Sequence, residues 1–144
     1  MKAVAVDLLA LGDTTALWND WLVDAGRRAR IDVAALDEQL PNWRRLLERF
    51  AEERAPVYLR PDAEANAALR RLQGKGARIG VFTDAPEELA RIALAQLGAA
   101  RRVDVLATGD GALADLLAQI GADATVVRTR AELLRLGTRF AAER

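Results

Sequence analysis

The sequence predicts an α/β fold: a doubly wound, mainly parallel sheet in a three-layer core, with a small helical cap inserted after the first strand. Three observations carry this expectation. Four short apolar runs lack polar alternation, helical patterns alternate with the last three of them, and about seventy residues of helical character separate the first run from the second. A strand covered on both faces reads as an unbroken apolar run, and strands alternating with helices build right-handed βαβ units. A crossover needs only a dozen or so residues, so the long first connection marks an insertion.

In chain order, the first strand is Ala3 to Asp7. Asp13, Thr14 and Thr15 are N-cap residues for a helix through Leu17, Trp18, Trp21, Leu22 and Ala25. A short helix near Val33 to Leu40 follows, and Pro41 opens a third that carries Trp43, Leu46, Leu47 and Phe50. All three tryptophans fall in this insertion, where they are expected to pack the cap against itself. Pro61 and Asp62 begin the helix Ala63 to Leu72, and Gly74 and Gly76 turn the chain into the second strand, Arg78 to Thr83. The helix Pro86 to Leu97 puts Leu89, Ile92, Ala93 and Leu97 on one face and stops at Gly98. Asp84 is the expected N-cap of that helix. A third strand, Arg102 to Ala107, leads to the helix Gly111 to Ile120, closed by Gly121. A fourth strand, Ala124 to Thr129, precedes a last helix, Ala131 to Arg144. The chain is expected to be one domain, 1–144, with its core in 1–12 and 61–144 and its cap at about 13–60.

Composition narrows the chemistry. The chain has 144 residues, 51% of them hydrophobic and 29% charged, enough for one core and against disorder. Twenty-one basic and twenty-one acidic residues cancel, so no global field draws nucleic acid or an anionic membrane. There is no cysteine and no histidine. Disulfides, thiol nucleophiles, zinc-finger patterns and the usual neutral-pH base are therefore excluded, which leaves carboxylates as the candidate bases and metal ligands. No basic leader with a cleavage site and no membrane-length apolar run occurs, so the expected location is the cytoplasm. Arginine far outnumbers lysine, present only as Lys2 and Lys75, and alanine is abundant; both point to a GC-rich, bacterial genome.

Ligands of open α/β sheets bind beyond the carboxyl ends of the strands, where the strand order reverses. The residues there are Asp7, then Thr83 and Asp84, then the Thr108 to Gly111 turn, then Arg128, Thr129 and Arg130. An aspartate ending the first strand, a helical insertion after it and a hydroxyl residue ending the second resemble the haloacid dehalogenase superfamily, especially its phosphatases with helical caps. The likeness covers essentially the whole chain. It implies a Rossmann-like core, hydrolase or phosphatase ancestry, Asp7 as nucleophile and Thr83 as the hydroxyl that holds a phosphate oxygen.

Other family motifs are missing. The family's first strand ends in Asp-x-Asp-x-Thr; here Leu9 stands at the general acid and Leu11 at the threonine, while Asp13-Thr14 resembles the Asp-Thr at the cap entry, one residue closer. The lysine or arginine expected after the third strand is replaced by Gly109-Asp110-Gly111-Ala112. The acidic pair that holds magnesium after the fourth strand is replaced by Arg128-Thr129-Arg130. Leucine donates no proton, and general acid catalysis alone contributes about 10²–10⁴-fold. Magnesium needs hard oxygen ligands, which guanidinium groups do not supply.

The expectation is an impaired or lost magnesium-dependent phosphohydrolase with a retained small-anion, phosphate-type pocket. It would be formed by Thr83, Asp84, Gly109, Gly111, Arg128 and Arg130, with no cofactor unless competence, and magnesium with it, is kept. The expected partner is a small phosphorylated or anionic molecule, not nucleic acid or membrane, and the cap is the candidate face for a homodimer. Two alternatives stand beside it: a weak phosphoester hydrolase acting through Asp7, and a non-catalytic interaction protein using the tryptophan-rich cap. Gly109-Asp110-Gly111-Ala112-Leu113-Ala114 also matches a dinucleotide fingerprint. It sits on the third strand, however, and the next strand ends in Arg128 where a ribose would need an acid. The pairs Arg27-Arg28, Arg44-Arg45 and Arg70-Arg71 read as solvated helix faces.

Overall fold

A computed structural model describes residues 3–142. Four strands, β1 (Ala3–Asp7), β2 (Arg78–Thr83), β3 (Val105–Thr108) and β4 (Thr125–Val127), form one sheet in the order β3-β2-β1-β4. Every pairing is parallel. Between β1 and β2 run α1 (Thr15–Ala29), a 3-10 turn (Val33–Ala35), α2 (Leu36–Gln39), α3 (Trp43–Tyr58) and α4 (Ala63–Gly74). Then α5 (Glu87–Gln96) joins β2 to β3, α6 (Ala112–Ile120) joins β3 to β4, and α7 (Arg130–Ala142) follows β4.

The α/β class and the parallel sheet are as the sequence predicts; β4 is shorter than expected, and three other boundaries move for a visible reason. Ala100–Arg102 forms a 3-10 turn, and β3 begins at Val105. Asp104 explains the delay: its carboxylate accepts the Ile79 N–H at 2.8 Å while its own N–H donates to the Ile79 carbonyl, tying the loop to β2 before pairing starts. The N-cap of α5 is Pro86, with no side-chain bond, so Asp84 is not the cap. Thr83 Oγ1 takes the Ala85 N–H instead and shapes the turn. Helix α7 starts at Arg130, capped by Thr129, whose Oγ1 accepts the Glu132 N–H at 3.2 Å. Residues 143 and 144 of the expected last helix lie outside the described residues.

The two faces of the sheet are packed unequally. Val4, Val6, Ile79 and Val81 point into a large buried cluster that also takes Leu69 of α4, Leu89 of α5 and Leu133 of α7. The same cluster includes Leu17, Trp21, Trp43 and Leu47, so the helical insertion and the sheet share one core. Arg44 of α3 pairs with Glu88 of α5 at 3.0 Å across that junction. The other face carries small residues, Ala5, Gly80 and Ala107, and is covered by α6 through Ala112 and Leu116. The tryptophans do pack against one another: Trp21 stacks on Trp18 at 5.6 Å, and Trp43 stands 6.2 Å from Trp18 and 5.9 Å from Trp21.

Asp62 ties the return of the chain to the end of the fold. Its Oδ1 accepts the N–H groups of Glu64 and Ala65, capping α4, and its Oδ2 lies 2.5 Å from Arg130 Nε at the start of α7. The guanidinium hydrogen bond, aided by the two backbone N–H groups, holds the Asp62 carboxyl below its ordinary range. Such a group adds stability that is complete above the unfolded-state pKa and is lost as pH falls through the lower folded-state value. Asp62→Asn keeps the capping geometry but loses the charge. In urea denaturation it should therefore be the less stable protein at pH 7 and decline less steeply than the wild type below about pH 4. Identical pH slopes for the two proteins would remove the Asp62 charge from the account of stability.

Candidate active site

Asp7 ends β1, the strand flanked by β2 on one side and β4 on the other, where the strand order reverses. It is half-buried, and its Oδ1 accepts the Leu9 N–H at 3.0 Å, capping the 3-10 turn Leu8–Ala10. Register places Asp7 beside Phe82, so Thr83 projects from β2 one residue further on, and Thr83 is itself opposite Thr108 of β3. Thr83 is only 8% exposed, the one buried polar residue among those described. These strand ends open on a cleft of about 490 Å³ lined by Asp7, Thr83, Asp84 and the Gly109–Gly111 loop. Both glycines have positive φ, 80° at Gly109 and 72° at Gly111, which lets the loop turn sharply from β3 into α6.

Five of the seven residues singled out from the sequence thus meet in one cleft. Arg128 and Arg130 do not line it. Starting α7 at Arg130 turns that side chain toward α4, where Asp62 and, at 3.8 Å, Glu64 hold its guanidinium. Arg128 is exposed, with its guanidinium carbon 5.7 Å from the Phe82 ring centre. The expected two-arginine anion fork is therefore not assembled. Its place is taken by negative charge: besides Asp7 and Asp84, the cleft is lined by Asp13 and Asp110 and, among the described residues, by no lysine or arginine. Asp13 accepts the Thr15 N–H at 2.9 Å, and hydrogen bonding to Thr15 holds its carboxyl low, so it stays ionised. Asp110 was legible as part of the Gly109–Gly111 turn, but nothing in local spacing marked it as facing Asp7.

A second cavity, about 610 Å³, adjoins the cleft through Thr14, Thr15 and Asp84. Its wall comes from the insertion, with Trp18, Leu36 and Trp43, and from Pro86 of the core. The sequence offered the tryptophans as packing of the cap or as a partner surface, and did not reveal that Trp18, only partly buried, faces a hollow.

A sequence model of the haloacid dehalogenase-like hydrolases matches residues 7–144. The chain belongs to that family. No curated protein and no solved structure matches it. Haloacid dehalogenase-like hydrolases generally use magnesium, and the donor set here does not fit that ion. Among the described residues, no three acidic side chains converge where they could share a metal ion. One Asp7 oxygen is bound to the Leu9 N–H, and β4 is followed by arginines and a capping threonine instead of carboxylates. Leu9, two residues past Asp7, is 56% exposed at the cleft, an apolar side chain that can neither donate nor relay a proton. Chemically, the cleft offers four carboxylates, of which Asp7 and Asp13 each have one oxygen engaged by a backbone N–H, together with one buried hydroxyl and the amides of the Gly109–Gly111 loop. No helix of the described residues is long and apolar enough to cross a membrane.

Proposed function

We propose that the chain is a phosphatase-type haloacid dehalogenase-like protein that has lost magnesium-dependent phosphoryl transfer and serves as a binding protein through the cleft beside Asp7. The observation that carries this reading is the pairing of a nucleophile position kept in place, Asp7 at the strand-order reversal, with Leu9 and the β4 end stripped of acid and metal ligands. The retained phosphate pocket expected from the sequence is not part of it. Thr83 and the loop amides remain as donors, but four carboxylates around them oppose a dianion in the absence of a lining cation.

The test is release of phosphate from an aryl phosphate with magnesium present. The rate is expected to equal the buffer blank, and Asp7→Asn to leave it there. Magnesium-dependent release abolished by Asp7→Asn would replace this reading with the second one, a weak hydrolase acting through Asp7. Inorganic phosphate and sulfate are likewise expected to leave the melting temperature unchanged, because neither Arg128 nor Arg130 lines the cleft. The interaction-protein reading gains little from the tryptophans, since Trp21 and Trp43 are buried.

A further inference from the structure

We propose that the cavity between the insertion and the core binds a small organic amine with an apolar body. The proposal rests on the reading of this region as a binding site relieved of phosphoryl transfer, and it adds the class of ligand.

Size comes first. About 610 Å³ lies within the range of small-molecule sites, and the cavity continues into the Asp7 cleft through shared walls. Its apolar surface is assembled from both sides of the junction: Trp18, Leu36 and Trp43 from the insertion, Pro86 from the core. Indole edges and aliphatic carbon reward an apolar body and, on a ring face, a cation.

Charge decides the class. Among the described residues, the acidic side chains lining the cavity are Asp37, Glu38 and Asp84, and no lysine or arginine lines it. Asp37 is partly engaged, accepting the Trp43 Nε1–H at 2.7 Å. Glu38 and Asp84 are exposed at the rim, and among the described residues neither forms an ion pair. The guanidinium over the Trp43 ring is spoken for: Arg44 lies 4.4 Å from the ring centre and is paired with Glu88. A chain of zero net charge thus presents a locally negative hollow. Carboxylates alone attract any cation. The indole and aliphatic wall selects an organic one, and the lack of any three converging acidic side chains argues against a bare metal ion. Thr14 and Thr15, lining both cavities, add hydroxyl oxygens that an ammonium can donate to.

The test uses three probes that share a phenylethyl body: 2-phenylethylamine, 2-phenylethanol and 3-phenylpropionate. Binding is read by tryptophan fluorescence and by thermal shift on the intact protein. The amine is expected to perturb the fluorescence and raise the melting temperature, the alcohol to bind more weakly, and the carboxylate not to bind. Glu38→Gln and Asp84→Asn, both at exposed positions, should each weaken the amine by roughly three- to tenfold and leave the alcohol unchanged. Trp18→Ala should weaken both. Should that variant lose its fold, the differential between amine and alcohol in the two charge variants still decides. Equal binding of all three probes, preference for the carboxylate, or no binding of the amine at about 10 mM overturns the proposal. Phosphate release in the separate assay would instead overturn the functional reading while leaving the amine titration to be judged by itself.

Discussion

Trp21→Ala is expected to lower the unfolding free energy by about 3–5 kcal/mol, the range for truncating a large buried aromatic side chain. Trp21 is only 2% exposed and packs against the rings of both Trp18 and Trp43, so its removal opens a void that both neighbours must line. The melting temperature should fall by on the order of 10 °C for a chain of this size. How the loss is distributed is as telling as its amount. Because Trp21 belongs to the same buried cluster as Val4, Ile79 and Leu89, fluorescence from the insertion and far-ultraviolet circular dichroism from the whole chain should move together in one transition. If the fluorescence midpoint dropped and the circular dichroism midpoint did not, the insertion would be a separate cooperative unit, and the shared core would be wrong.

Gly80→Val should also destabilise the fold, by crowding. Gly80 lies mid-strand in β2, in register with Ala5 of β1 and Val105 of β3, on the face covered by α6. A Cβ there would stand 2.5 Å from Leu116 Cδ1 and 3.0 Å from Cδ2, and Leu116 is fully buried. Valine favours strands, but overpacking a filled interior costs roughly 1–3 kcal/mol and outweighs that preference. The mechanism has a signature in the double variant. Leu116→Ala alone should cost about 2–5 kcal/mol, yet the valine would occupy part of the space it vacates. The pair should therefore be less destabilised than the sum of the single changes, by roughly 0.5–3 kcal/mol in urea denaturation. Strict additivity would mean that α6 shifts away as a unit instead of clashing at Leu116.

Much of the architecture was legible because it rests on local pattern. Unbroken apolar runs marked all four strands, and the stop at Gly98 and the Gly111–Gly121 bracket located α5 and α6 to within a residue or two. Boundaries moved where a side chain took up a backbone group outside the pattern. Asp104 pairing with Ile79 delayed β3, and Thr83 pairing with Ala85 displaced Asp84 from the cap of α5. At the candidate site, strand-end position anticipated that Asp7, Thr83 and the Gly109–Gly111 loop line one cleft. It failed for Arg130, because the partner that fixes this side chain, Asp62, is 68 positions away in sequence. It failed for the cavity as well: the inward aspect of Trp18 depends on how α1 and α3 meet, which helical periodicity does not encode. Thus the charge lining the cleft differs in sign from the expectation, because neither of the two arginines that follow β4 lines it.

Three indoles within about 6 Å of one another also form a single optical unit. Their transition dipoles couple, so excitation hops among the rings before emission, and light absorbed by any one is depolarised by all. The molecule thereby carries an internal gauge of its own hollow: anything that shifts the orientation of Trp18 alters the signal of Trp21 and Trp43 too, with no label attached.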